Sequence, residues 1–473
     1  MSIAATLIMF QAVTAVPNPC PETDGNFGAE IVVLDFDADG TNDLAVSAPG
    51  QGEVFIFFGG ATPAWSDWQA IGASCIPDMG NCPTCTSSTN FGAGLAAGDL
   101  DGVAGDELVV GETGWNNARG RLRVYSYQSV GRAKAQHLYD LTSSVAVDFE
   151  QMGSSIAVGH FDDGLDGDLD VAAGASPFGD AACAAAGGPD NVGRVHVFYD
   201  SLGSEDILDN PKHTSGVAGD TCNASFGAKV KAAPNGAGGH DLFVSAQGNP
   251  VSVVPFLYHP SGGAIHVWLA PFAGITSPVT DEINDVNLLD PIYDQGARFG
   301  KGLDAARVTL GGVPTTVVTV GAPRKDNVWA LPCGHPCCSA CACIIGCPDD
   351  TGGAFVYQGT STSSGFQLDP TVQPGFVPGA NELLGFNTII ADVIGGGGAD
   401  YVFVSLGTNE IKIWNPRALG SGPVVINVGG GYYAGIGHGE VDATNSKEEL
   451  LLGDTRFNGT GTTREGRLYI VQP

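Results

Sequence analysis

Basic side chains are scarce in this sequence. Lys and Arg number 20 against 51 Asp and Glu over 473 residues, a formal charge of −31. Nucleic acid and anionic membrane both select basic surfaces, so neither is expected as a partner. Long apolar runs are also missing. None reaches the ~18–20 residues of a membrane helix, so no membrane insertion is expected. Enzyme signatures are lacking too: there is no Gly-x-Ser-x-Gly elbow, no phosphate-cradling Gly loop followed by Lys, and no HExxH pair. His160, His196, His240, His266 and His438 lie in or beside expected strands and rim loops, which favours structural over catalytic roles. Helical periodicity is sparse, whereas 70 glycines punctuate short β-branched runs. That combination points to a turn-rich, all-β chain.

What is abundant is acid at regular spacing. In Asp35-Phe36-Asp37-Ala38-Asp39-Gly40-Thr41-Asn42-Asp43 the carboxylates fall at positions 1, 3, 5 and 9, with Gly at 6 and the Thr41 hydroxyl at 7. Hard oxygen donors at alternating positions around a tight turn suit Ca²⁺. The start resembles an EF-hand loop, but Val46 stands where a bidentate Glu would be. The flanks Ala29–Leu34 and Leu44–Ala48 are short and apolar, so the loop is expected inside a β-hairpin.

Length alone would suggest about three domains. Internal repetition overrides that prior. Seven segments share an order: an aromatic or Met beside Gly, an apolar run, an acidic or Gly-rich loop, a second apolar run, then Gly and a third strand. They begin near residues 26, 90, 152, 225, 298, 384 and 432. Asn26-Phe27-Gly28 opens the first, which continues through Leu44–Pro49 to Gly52–Phe57. Asn90-Phe91-Gly92 and Met152-Gly153 open the next two, which end in Gly120–Tyr125 and Gly193–Phe198.

This pattern resembles the FG-GAP repeat, the blade unit of the integrin alpha-chain propeller. The resemblance covers nearly the whole chain and implies an all-β, seven-bladed β-propeller of four-stranded antiparallel blades, folding as one domain over residues 1–473. A fourth strand precedes each new aromatic-Gly, as in Asp67–Ile71 and His137–Leu141, but the last segment ends after its third. Residues 4–13 are therefore expected to supply the missing outer strand of the last blade, closing the ring. The competing reading of Ile3–Val16 is a signal-peptide core with cleavage at Ala15, although a basic n-region is lacking.

The loops differ in how much chemistry they keep. The first has its full set: Asp35, Asp37, Asp39, Thr41 and Asp43. The second keeps Asp99, Asp101 and Glu107 at positions 1, 3 and 9, with Val103 in place of the fifth-position donor. The third keeps Asp162, Asp166 and Asp170 at 1, 5 and 9, with Asp168 or Asp163 as a further ligand. About three structural Ca²⁺ sites are thus expected. The others fade to Asn235 and Asp241, to Asp392 and Asp400, and to Glu440, Asp442 and Glu449; Ala305–Thr316 has no carboxylate. Those loops read as turns with glycine as the turn-forming residue.

Strand order places the acidic loops on one face and the loops joining strands two to three, and blade to blade, on the other. All twelve cysteines fall in loops of that second face. Their number and placement suggest disulfides and an extracellular or cell-surface setting. Cys333–Cys347 holds six Cys and His335; a disulfide knot and a Zn²⁺ or Cu(I) site are the alternatives. The functional expectation is a calcium-stabilised, non-catalytic adhesion or recognition module with a protein or glycan partner on the cysteine-bearing face. The alternative is a carbohydrate-active protein, lectin or polysaccharide lyase, using the same face.

Overall fold

The computed structural model describes residues 12–60, 65–83, 89–145, 147–162, 168–179, 183, 191–199, 204–213, 220–249, 251–254, 257–259, 262–272, 281–284, 298–324, 352–359, 366–368, 382–394, 398–416, 422–429, 431–441, 447–458 and 463–472. Seven four-stranded antiparallel sheets form a seven-bladed β-propeller. Blade 1 runs outward through Ile31–Leu34, Asp43–Ala48, Glu53–Phe57 and Trp68–Gly72. The innermost strands of blades 2 to 7 are Phe91–Gly98, Ser155–Gly159, Phe226–Pro234, Gly302–Leu310, Leu384–Ala391 and Tyr433–Gly439. Each packs beside its neighbour, and that of blade 7 packs beside that of blade 1, so the ring is closed.

The cores lie between blades. Leu44 and Val46 face Leu451, Leu468 and Ile470 of blade 7, whereas Ala45, Val54 and Ile56 face Leu108 and Val110 of blade 2. Successive residues of a strand point to opposite faces, and here both faces are covered. That is why second strands such as Asp43–Ala48, Glu107–Glu112 and Asp170–Ala175 are buried along their whole length. Seven clusters of this kind, one per blade junction, carry the apolar burial.

The Phe-Gly signature has a local cause. Phe27 N–H donates to the Glu465 carbonyl of the preceding blade at 3.2 Å, and Met152 and Phe226 repeat this on Arg119 and Val192 at 3.0 Å each. The next residue then lies backbone to backbone on the second strand of that blade. Gly28 sits at φ +91°, and a Cβ there would stand 2.7 Å from the Gly453 Cα. The aromatic ring fills the junction core while the glycine permits the approach.

The last blade takes its outer strand from the N-terminal region, as expected, but at a different place. Ala12–Pro17 pairs antiparallel with Arg467–Gln472, from Ala12 opposite Gln472 to Pro17 opposite Arg467. Of the expected 4–13, residues 12 and 13 take part, and 4–11 lie outside the described residues. The register follows burial: Val16 enters the blade 7/blade 1 core. Ala15, the alternative cleavage point, pairs with Tyr469 inside this strand. Blade 5 confirms a plain hairpin at its inner turn, where Gly311 and Gly312 both have positive φ between the paired Leu310 and Val313.

Two disulfides tie loops of the face opposite the acidic turns: Cys20–Cys82 and Cys183–Cys222. Cys75 is disulfide-bonded as well. Cys333–Cys347 lies outside the described residues. No helix among the described residues is long and apolar enough to cross a membrane.

Gly28→Ala tests the junction. Left-handed strain of roughly 1–2 kcal/mol adds to overpacking of about 1–3 kcal/mol. Denaturant titration should show a loss of at least ~2 kcal/mol; a neutral result would remove the close approach as the reason for the glycine.

Candidate metal-binding rim

The first hairpin loop curls because Ala38 and Gly40 are both left-handed, at φ 59° and 83°. A Cβ on Gly40 would meet nothing within 4 Å, so the glycine answers the backbone rather than crowding. The curl turns three carboxylates inward. Asp35 accepts from Asp39 N–H and Gly40 N–H, each at 3.1 Å, and Asp37 accepts from Asp39 N–H at 3.2 Å. One oxygen from each of Asp35, Asp37 and Asp39 lies within 4.8 Å of the others. Ca²⁺ sits 2.3–2.6 Å from its oxygens, so donors across one shell are separated by about this much. Burial, followed by the charge of Asp39, pushes the Asp37 carboxyl above its ordinary range. An unneutralised cluster is thus costly, and a cation would relieve it.

Thr41 and Asp43 stand outside this trio. Thr41 donates both N–H and hydroxyl to Asp39 Oδ1, the former at 2.7 Å. Asp43 is buried and accepts from Phe36 N–H at 2.9 Å and Gly59 N–H at 2.6 Å. Its carboxyl rises to about 7, chiefly through burial.

The second loop assembles likewise. Asp99, Asp101 and Glu107 each bring an oxygen within 4.8 Å of the others. Asp99 accepts from Gly102 N–H, Asp101 from Val103 N–H, and Glu107 from Leu100 N–H. Burial, with Asp101, Asp99 and Asp106 adding, lifts Glu107 to about 7. In the third loop Asp170 accepts from Phe161 N–H at 2.7 Å and Asp162 N–H at 3.3 Å. Asp166 and Asp163 lie outside the described residues, and Asp168 is described at the loop's end.

Two features escaped the sequence reading. Asp106, one residue before Glu107, joins the first two loops: its carboxylate accepts from Asp35 N–H and its own N–H donates to Asp35 O, both at 2.8 Å. Its only signal in the sequence is an acid adjoining the ninth position. The second is that the ninth-position acid is a strut kept where the metal set is lost. Asp241 accepts from Ala270 N–H, Asp400 from Ile394 N–H and Glu449 from Val441 N–H, and all three are fully buried. Blade 5 alone has an apolar residue, Val317, at this register. The faded loops therefore do not rely on glycine alone.

The histidines are placed structurally. His196 is buried between two carboxylates, Nδ1 at 2.6 Å from Glu205 and Nε2 at 2.8 Å from Glu150. Burial alone would lower its pKa, but hydrogen bonds and charges of Glu150 and Glu205 outweigh it and hold it above the ordinary value. His266 contacts Asn249 at 2.9 Å, and His438 pairs with Glu448 at 3.2 Å.

Fold and loops together define a seven-bladed β-propeller with acid-lined hairpins along one rim. Residues 27–60, which contain the first acidic loop, match the FG-GAP repeat family. Human integrin alpha-IIb is 33% identical over 130 residues, covering 26% of this chain and 11% of that protein. Human phosphatidylinositol-glycan-specific phospholipase D is 34% identical over 91 residues, covering 19% of this chain and 11% of that protein. The chain matches these relatives over about a tenth of their length. Among solved structures, virginiamycin B lyase from Staphylococcus aureus overlaps 98% of this chain and 99% of that chain at 9% identity, with a TM-score of 0.45. The chain is thus a seven-bladed propeller in which residues 27–60 match the FG-GAP repeat and about a quarter of the sequence is similar to an integrin alpha chain.

The buried acids set a pH dependence. Asp241 is raised to about 6, first by burial, so the folded state holds its proton more tightly than the unfolded chain. The stabilisation is fully present below about 4 and is lost as pH rises to about 6. Asp241→Asn should flatten the stability difference between pH 4 and pH 7 by about 1–2 kcal/mol in urea titrations; an unchanged profile would mean the acid is ionised in the fold. His196 carries the same sign at higher pH. Its contribution is complete below about 6.5 and is lost as pH rises through its raised folded value. His196→Gln should therefore lower the melting temperature more at pH 6 than at pH 9.

Proposed function

We propose that this chain is a calcium-stabilised propeller that acts as a recognition module outside the cell. The observation that carries the reading is the pair of oxygen clusters on one rim, Asp35, Asp37 and Asp39 beside Asp99, Asp101 and Glu107. The first lies inside the stretch matching the FG-GAP repeat. Ca²⁺ in each would exchange carboxylate repulsion for coordination and hold the hairpins of blades 1 and 2 rigid through the Asp35–Asp106 bridge. In this reading the ion's role is structural: it braces the two hairpins.

Recognition then falls to the opposite face. Its loops carry Cys20–Cys82 and Cys183–Cys222, and loops anchored on a rigid scaffold are where binding sites concentrate. Disulfides persist in oxidising compartments, which supports an extracellular or cell-surface setting. The partner is a protein or glycan; the similarity to integrin alpha-IIb favours adhesion.

Melting should shift upward with Ca²⁺ after chelation, and Asp39→Ala should reduce the shift by at least half. No response to the ion in the wild-type protein would remove the calcium reading. Protein and glycan arrays should find a ligand without turnover. Cleavage of an acidic polysaccharide would instead establish the carbohydrate-active alternative.

A further inference from the structure

Blades 2, 3 and 7 build the same corner between their second and third strands. An aromatic residue stands three positions after the last residue of strand two: Trp115 after Glu112, Phe178 after Ala175 and Phe457 after Asp454. Its carbonyl accepts from the N–H of the glycine that opens strand three, Gly120 at 3.2 Å, Gly193 at 3.0 Å and Gly466 at 3.3 Å. An Arg follows each glycine and lays its guanidinium over that ring. Arg121 stands 4.9 Å from the ring centroid, Arg194 3.5 Å and Arg467 3.6 Å. Stacking covers one face of a guanidinium and leaves its N–H edges to be satisfied in the plane.

In two of the three corners carboxylates fill those edges. Arg121 reaches Glu112 and Asp140, each at 2.7 Å. Arg194 reaches Asp209 at 3.1 Å and Glu150 at 3.5 Å. Blade 7 has neither kind of partner. Asp209 lies opposite Arg194 on the outer strand, whereas Pro17 lies opposite Arg467. Glu150 stands two residues before Met152, and Gly431 stands two before Tyr433. Asp454, in the place of Glu112, is turned to the backbone: it accepts from Gly431 N–H at 2.7 Å, Tyr432 N–H at 2.9 Å and Arg456 N–H at 3.2 Å. Among the described residues the half-buried Arg467 side chain is left with its ring contact alone, and its Nε is buried without an acceptor. A buried donor with no acceptor is rare and costly, so the orphaned Nε marks a place where a partner is missing.

We propose that Arg467 is the docking point for an Asp or Glu side chain of an acidic protein segment, seated over blade 7 on the disulfide-bearing face. The sister corners set the chemistry: on the same stack, what fills the edges of Arg121 and Arg194 is in every case an Asp or Glu carboxylate. A planar guanidinium takes a carboxylate through two parallel hydrogen bonds. The Phe457 ring already holds that of Arg467 in place, so little side-chain freedom is lost on binding. Local charge also suits an acidic partner, because Arg456 and Arg464 belong to the same corner of a chain with only 20 Lys and Arg. Loops joining strands two to three open on this face, the Cys183 loop of blade 3 among them. The inference deepens the recognition reading and rests on it, naming one group that the partner carries.

Rhodamine-labelled tetraglutamate, titrated into the calcium-equilibrated protein and followed by anisotropy, tests the site, with labelled tetraglutamine as the control. The acidic peptide should bind saturably and the neutral one should not. Pro17→Asp should fill the corner from within, as Asp209 does in blade 3. It should weaken peptide binding at least about tenfold while melting no lower than the wild type. Arg467→Met should weaken binding to the same extent. No saturable binding of tetraglutamate, or unchanged affinity in Pro17→Asp, would overturn the proposal. Tighter binding of tetragalacturonate than of tetraglutamate would assign the corner to an acidic glycan and overturn it as well. A protein partner found on arrays that binds Arg467→Met as tightly as the wild type would sink this site and leave the recognition reading standing.

Discussion

The seven blades hold together through one repeated contact, the backbone of a glycine in one blade against the second strand of the blade before it. Gly28 on Gly453, Gly153 on Gly111, Gly227 on Gly174 and Gly385 on Gly321 are four copies of it. With no side chain between them, adjoining sheets approach closely where they converge on the axis. The aromatic or Met beside each glycine then fills the wedge where the sheets diverge. The main apolar cores of the described residues follow this arrangement, because they are junctions between sheets rather than one central mass. Ring closure uses the same contact, with the N-terminal strand completing the last sheet.

Charge is disposed with equal regularity. A buried acid begins the second strand in six of the seven blades and ties the loop backbone to the sheet. In blades 1 and 2 further carboxylates gather around that strut, converting a hairpin brace into a cluster with the donor set of a hard cation. Some of the few cations lie instead on the inner strands of blades 4 and 5, namely Lys229, Lys231 and Arg307. A chain with a formal charge of −31 thus presents opposite local signs at the rim and in the channel.

Much of this was legible in the residues. Alternating apolar runs with Phe-Gly, an acidic loop and a Gly-led third strand recurred seven times, and each unit became one four-stranded blade. Spacing in the first loop pointed to Asp35, Asp37, Asp39, Thr41 and Asp43, and the fold brings one oxygen of each of the first three within 4.8 Å of the others. Asp43 was read as a ligand-type donor, and the fold shows what else it does: it satisfies two backbone donors that only the folded hairpin brings to it. The outer strand was placed at 4–13 by likeness to Asp67–Ile71. Its observed span, Ala12–Pro17, follows from pairing with a strand 450 to 460 residues away.

The sequence by itself determined what recurs locally: strand period, turn chemistry, blade number, and the carboxylate spacing of the hairpin loops. These depend on residues a few positions apart, whose relative placement the backbone geometry constrains. Only the tertiary structure decided what meets across the ring. The Asp35–Asp106 bridge, the burial of His196 between Glu150 and Glu205, and the Lys229–Glu30 pair join residues 71, 46, 9 and 199 positions apart. No local spacing rule links such positions. Closing seven sheets around one axis does.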